Sequence, residues 1–103
     1  MKNKLFDTKK WYILRANNAG VFLCKIKSFD SNVAQVHSLR RLYYWNGALD
    51  VSYMAKKGVK NSGNKFSVQM TEMDLSVITN VIEFHEASEV CVNSINSVAV
   101  WNG

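Results

Sequence analysis

From Trp11 onward, short runs of strand-forming residues alternate with clusters of turn residues. Trp11–Arg15 reads as a first strand and Asn17-Asn18-Ala19-Gly20 as a turn, because Asn and Gly tolerate positive φ. Val21–Ser28 then forms a second strand, with Cys24 and Ile26 facing away from the side of Lys25 and Lys27. The pattern predicts a hairpin. After a turn at 29–32, Val33–Leu39 begins a third strand that runs on into Arg40-Arg41-Leu42-Tyr43-Tyr44-Trp45. Strict alternation there puts Arg40, Leu42 and Tyr44 on one face and Arg41, Tyr43 and Trp45 on the other. With only one face in the core, one arginine must be paired or lie at a rim or subunit interface.

The period then changes. Leu49, Tyr53 and Met54, with Asp50 as cap, Lys56-Lys57 in the last turn and Gly58 behind them, predict a short helix over 50–57. An exposed loop at 60–64 leads to Lys65–Thr71, whose strict alternation puts Phe66, Val68 and Met70 on one strand face. Another strand fits Val77–Phe84, with a break near Asn80. A second helix fits 87–95, lined on one side by Ala87, Val90, Cys91, Ser94 and Ile95. Val98–Trp101 reads as a closing strand. The fold class expected is α+β: a small antiparallel curled sheet or open barrel of about six or seven strands with two short helices.

At 103 residues the chain is expected to be one domain, 1–103, preceded by a loose basic arm over 1–9 that carries Lys2, Lys4 and Lys9. An apolar content of 48% is that of a globular protein, and no apolar run is long enough to cross a membrane. No apolar stretch follows the N-terminal lysines, so a signal peptide is not expected. Cys24 and Cys91 stand 67 positions apart with no CxxC partner and read as reduced, buried thiols of a cytosolic protein.

Charge divides the chain unevenly. All 13 Lys and Arg lie within residues 1–65, against only Asp7, Asp30 and Asp50, a net of +10. Residues 66–103 hold five acids and no Lys or Arg, a net of −5. Such asymmetry steers anions to one side, suits head-to-tail contact between identical subunits, or neutralises itself within a monomer.

The densest chemistry is Arg40–Trp45, where two of three arginines and three of twelve aromatics fall within six residues. Guanidinium forks fit phosphate and aromatic faces stack on bases, so Arg40, Arg41, Tyr43, Tyr44 and Trp45 are the candidate ligand-binding residues. The same block is also consistent with one edge of a core, its charges turned to water. Catalytic parts are not expected: His37 and His85 sit in no nucleophile or metal-site pattern, and Gly58–Gly63 lacks a P-loop. No metal or cofactor is expected.

The block also resembles an uncharacterised family of small bacteriophage proteins that carries Asn-Ala-Arg-Arg-Leu-Trp-Tyr-Trp, then Gly-Ala, then a short helix ending in Ala-x-x-Gly-Val. The resemblance rests on Arg40, Arg41, Leu42, Tyr44, Trp45, Gly47 and Ala48, then Ala55, Gly58 and Val59, and finally Ser94, Ile95, Val98 and Trp101. Ser38 and Leu39 depart from Asn-Ala, and Tyr43 from Trp. It implies a phage gene product acting in the host cytoplasm and brings no activity with it.

Together these readings lead to a non-enzymatic phage accessory protein that sequesters a small anionic nucleotide-like ligand, a host immune signal, at a homo-oligomer interface. The alternatives are a protein-binding role, as virion component or inhibitor of a host defence enzyme, and DNA or RNA binding through the lysine-rich half.

Overall fold

The computed structural model describes residues 5–102. They form β1 (Trp11–Ala16), β2 (Gly20–Asp30), β3 (Val33–Tyr44), α1 (Val51–Lys57), β4 (Lys65–Phe66), β5 (Ser76–Ile78), β6 (Val81–Glu86) and α2 (Glu89–Asn96). The strands pair antiparallel in the order β4-β3-β2-β1-β6, with β5 on the other half of β3's outer edge. The fold is thus α+β, with six strands. The expected strand at Val98–Trp101 is replaced by a single bridge from Val100 to Phe66, because β4 is only two residues long and offers no longer ladder. Lys2 and Lys4 of the expected arm lie outside the described residues. The described part of that arm, residues 5–9, is tied down: Phe6 packs on the core and the Asp7 amide donates to the Tyr12 hydroxyl at 2.7 Å.

Both sheet faces carry buried residues. Tyr12, Leu14, Phe22, Cys24, Ile26, Ala34, Val36, Leu39, Ile78 and Val81 fill the inside of the curl. Ile13, Leu23, Leu42 and Phe66 face the other way, against Val51, Met54 and Ala55 of α1 and Cys91 and Ile95 of α2. The expectation of one core face therefore fails, since the helices add a second apolar layer. Burial pushes both thiols, Cys24 and Cys91, up to about 12, and neither forms a disulfide.

Two bulges curl the long hairpin. Ser38 and Leu39 together oppose Cys24, with Ser38 at φ 55, and Lys27 is the extra residue on β2. The first bulge reverses β3's alternation. Ala34 and Val36 point inward, then Leu39 does, and Arg40 and Leu42 are turned outward to the helices. Only Thr79 and Asn80 separate β5 on one sheet edge from β6 on the other, so the edges come close. They do not pair with each other, and the sheet stays open. Asn80, at φ 57, supplies the expected break.

Both helices are capped, and the caps of α1 are the expected residues. Asp50 accepts from the Tyr53 amide, Gly58 ends α1 at φ 79, and Ser88 accepts from the Cys91 amide. The α1 face is rotated from the expected one: Leu49 and Tyr53 are exposed, and Val51, Met54 and Ala55 do the packing. α2 packs through Cys91 and Ile95, with Ala87 just before it, as expected, and Val90 is exposed. The predicted strand over 65–71 also shrinks to two residues. It follows β3 irregularly (Ser67 N–H to Arg41, Met70 N–H to Leu39) past the bulge, which leaves Val68 and Met70 in solvent.

Candidate functional site

The five block residues do not converge on one ligand site. Arg40 is only 4% exposed. Its Nε donates to the Ser67 carbonyl, and its two terminal nitrogens donate to the Ile95 and Val98 carbonyls, each at 2.7 Å. Ile95 lies at the C-terminal end of α2, where unsatisfied carbonyls and the helix dipole favour a cation. The guanidinium also covers the Phe66 ring at 5.4 Å. Burial lowers its pKa from the ordinary arginine value, yet an arginine among three carbonyl acceptors stays charged at neutral pH. Arg40 clasps α2, β4 and the C-terminal segment together and has no fork left for phosphate.

Arg41 turns to the opposite face. It lies over the Phe22 ring at 4.7 Å and donates to the Ala19 carbonyl at 2.8 Å, which pins the β1–β2 turn. Trp45 stands beyond the end of β3 and joins the helix-side core, with its Nε1 donating to the Ala48 carbonyl at 3.3 Å. It does not share a face with Arg41 and Tyr43, because strand alternation no longer governs it.

Tyr43 and Tyr44 remain exposed. Tyr43 meets Trp101 edge to face, with centroids 5.6 Å apart, and the Lys65 ammonium sits 5.2 Å from the Trp101 ring. The bridge at Val100 and the bond from the Trp101 amide to the Phe66 carbonyl (2.9 Å) hold this tail beside β4. The segments around this platform, 39–49, 60–71 and 97–102, contain no Asp or Glu. Sequence reasoning missed the grouping. Lys65 and Trp101 were each visible, but nothing local joins them to Tyr43. What assembles here is an open platform of two aromatic rings and a cation, with Arg41 close by on the same strand.

A second cluster lies in a groove of about 410 Å³ lined by Arg15, Trp45, Asp50 and Glu83. Glu83 accepts from Arg15 Nε at 2.7 Å and pairs with His85 Nε2 at 2.6 Å. The hydrogen bond to His85, then that to Arg15, holds the Glu83 carboxyl below its usual range. Both its oxygens are occupied, which suits a surface ion network better than a free base. Among the described residues no group of three or more His, Cys, Asp or Glu is placed to hold a metal ion.

Residues 9–92 match the family described as a domain of unknown function, DUF6948. The chain belongs to that family. No curated protein and no solved structure matches it. Within this DUF6948 chain, the matched residues run from just before β1 into α2 and include Tyr43 and Lys65, whereas Trp101 lies beyond them.

Proposed function

We propose that this DUF6948 protein is a non-enzymatic, phage-encoded accessory protein that captures a nucleobase–phosphate ligand, of the kind a host uses as an immune signal, on the Tyr43–Lys65–Trp101 platform. The observation that carries this reading is the solvent-exposed Tyr43–Trp101 pair with a lysine over the indole, on chain segments free of acids. Aromatic faces stack on bases at about 1–3 kcal/mol per base, and an adjacent cation attracts the phosphate. Arg40 is left out of the site and Lys65 and Trp101 take its place. The platform is open on one side, and its rings are reached directly from solvent.

The test is a Trp-fluorescence titration with cyclic nucleotides, ADP-ribose derivatives and short single-stranded oligonucleotides. Trp101→Ala and Tyr43→Ala are each expected to weaken binding by about tenfold or more, since losing one stacked ring removes about 1–3 kcal/mol. Arg41→Ala is expected to weaken it less. Tight uptake of single nucleotides supports signal capture. Preference for oligonucleotides, with steep salt dependence, moves the same chemistry to a nucleic acid. No binding across the panel, or binding untouched by both ring deletions, rejects the reading. The openness of the platform favours a second reading, a protein partner anchored by Tyr43 and Trp101. Many copies of the protein in purified virions would support that one.

A further inference from the structure

The helices cover only part of the sheet's outer side. Where the β2–β3 hairpin runs on past them, the register sets out three outward rows: Lys25 beside His37, Ser28 beside Gln35 and Val77, and Asp30 beside Val33. The alternate residues of the same strands, Ile26, Ala34, Val36 and Ile78, point into the curl. Among the described residues no layer lies over the outward rows. Leu75 and Met73 extend the surface, so four apolar side chains lie in the open: Met73 at 85% exposure, Val77 at 59%, Leu75 at 52% and Val33 at 36%. Thr8, Lys27, His37, Glu72, Met73 and Leu75 line a hollow of about 400 Å³ here. Lys27 and Glu72 both border it, and neither has an ion-pair partner among the described residues.

We infer that this uncovered sheet face is the contact between two copies of the chain, related by a two-fold axis. Contiguous exposed apolar surface on a small protein marks an interaction site, whereas scattered single side chains do not. The charges identify the occupant. Lys27 and Glu72 border one hollow, so a two-fold axis passing between them would set one copy's Lys27 opposite the other copy's Glu72, and the pairing would occur twice. The Ser28 hydroxyl already donates to Gln35 at 3.3 Å, so the central polar row is partly satisfied before contact. Asp30, Glu72 and Asp74 on or beside this face oppose a nucleic acid. The face lies on the opposite half of β3 from Tyr43, so the inference does not rest on the ligand proposed above.

The experiment is native mass spectrometry with sedimentation velocity on the full chain across a range of concentrations. The unmodified protein is expected to be a dimer. Val77→Lys, a change at an exposed position, is expected to give a monomer with an unchanged circular dichroism spectrum. Lys27→Glu and Glu72→Lys are each expected to weaken the dimer by about tenfold or more, since each sets like charges together twice. The double reversal is expected to restore it. A monomer at every concentration overturns the inference. A dimer that survives Val77→Lys, or one that the charge reversals neither weaken nor restore, overturns it as well. A cleanly monomeric protein would point to a different occupant for this face.

Discussion

Replacing Arg40 by Ala is expected to act on the fold and not on a ligand. The substitution strands three carbonyls, at Ser67, Ile95 and Val98, that the guanidinium holds at 2.7 Å. A buried polar group that loses its partner costs about 1–3 kcal/mol. Water entering the vacated space recovers part of this, and the loss of packing over Phe66 adds to it. The expected destabilisation is about 3–5 kcal/mol, large against the roughly 5–15 kcal/mol that holds a domain together. With a urea m-value on the order of 2 kcal/mol per molar, the unfolding midpoint drops by about 2 M. Arg40→Lys keeps the charge, but an ammonium cannot reach all three acceptors as a planar fork does, so the expected loss is smaller, about 1–3 kcal/mol. Arg41→Ala removes one carbonyl bond and one ring contact, about 1–2 kcal/mol. Because the Arg40 partners are carbonyls and not carboxylates, added salt should leave the Arg40→Ala loss unchanged. An Arg40→Ala protein within about 1 kcal/mol of the parent, or one less stable for Arg41→Ala than for Arg40→Ala, would refute the clasp.

Two further outcomes follow from the helix layer and the surface carboxylates. At Gly58, φ 79, an added Cβ would run into Ser94 Oγ and lie 2.9 Å from Ser94 Cβ, so Gly58→Ala should combine backbone strain with the separation of α1 from α2. A loss of more than about 2 kcal/mol is expected, while Gly20→Ala, with strain but nothing within 4 Å, should lose less; thermal melts compare them. The carboxyls of Glu83, Asp50 and Asp74 are held below their usual range, by His85 and Arg15, by the Tyr53 amide, and by the Thr71 hydroxyl and amide respectively. Depressed carboxylates contribute stability above their unfolded values, about 3.9 for Asp and 4.3 for Glu, and lose it as pH falls through the lower folded values. The melting temperature should therefore drop on acidification below about pH 4, less steeply in Glu83→Gln. A profile that rises in that range, or one identical in the variant, contradicts the assignment.

Much of the architecture was legible because its signals are local. Asn17–Gly20 turns the chain, Asp50 and Gly58 bound α1, and Asn80 breaks the strand between β5 and β6. Each relies on a property of one residue, a capping oxygen or tolerance of positive φ. The bulge at Ser38 has no such mark, since serine seldom adopts φ 55 and nothing beside it announces the turn. Missing it carried the alternation of 33–37 straight through to Arg40, as though one strand face could be read past the kink. The strand expected at 65–71 failed for the same reason: its alternation was real, but the edge it had to follow was kinked.

The candidate site divides along that line. The chain by itself determined that arginines and aromatic rings would lie near one another, because composition and short-range order are properties of the sequence. Which of those groups reach solvent was decided only in three dimensions. One extra residue in β3 turned Arg40 toward the helix layer and the open end of α2, where three backbone carbonyls accept from its guanidinium. The same packing laid the tail beside β4 and brought Trp101 to Tyr43 across 58 positions of chain. Burial and long-range pairing are settled by the competition of all side chains for the same interior, and no window of sequence contains that competition.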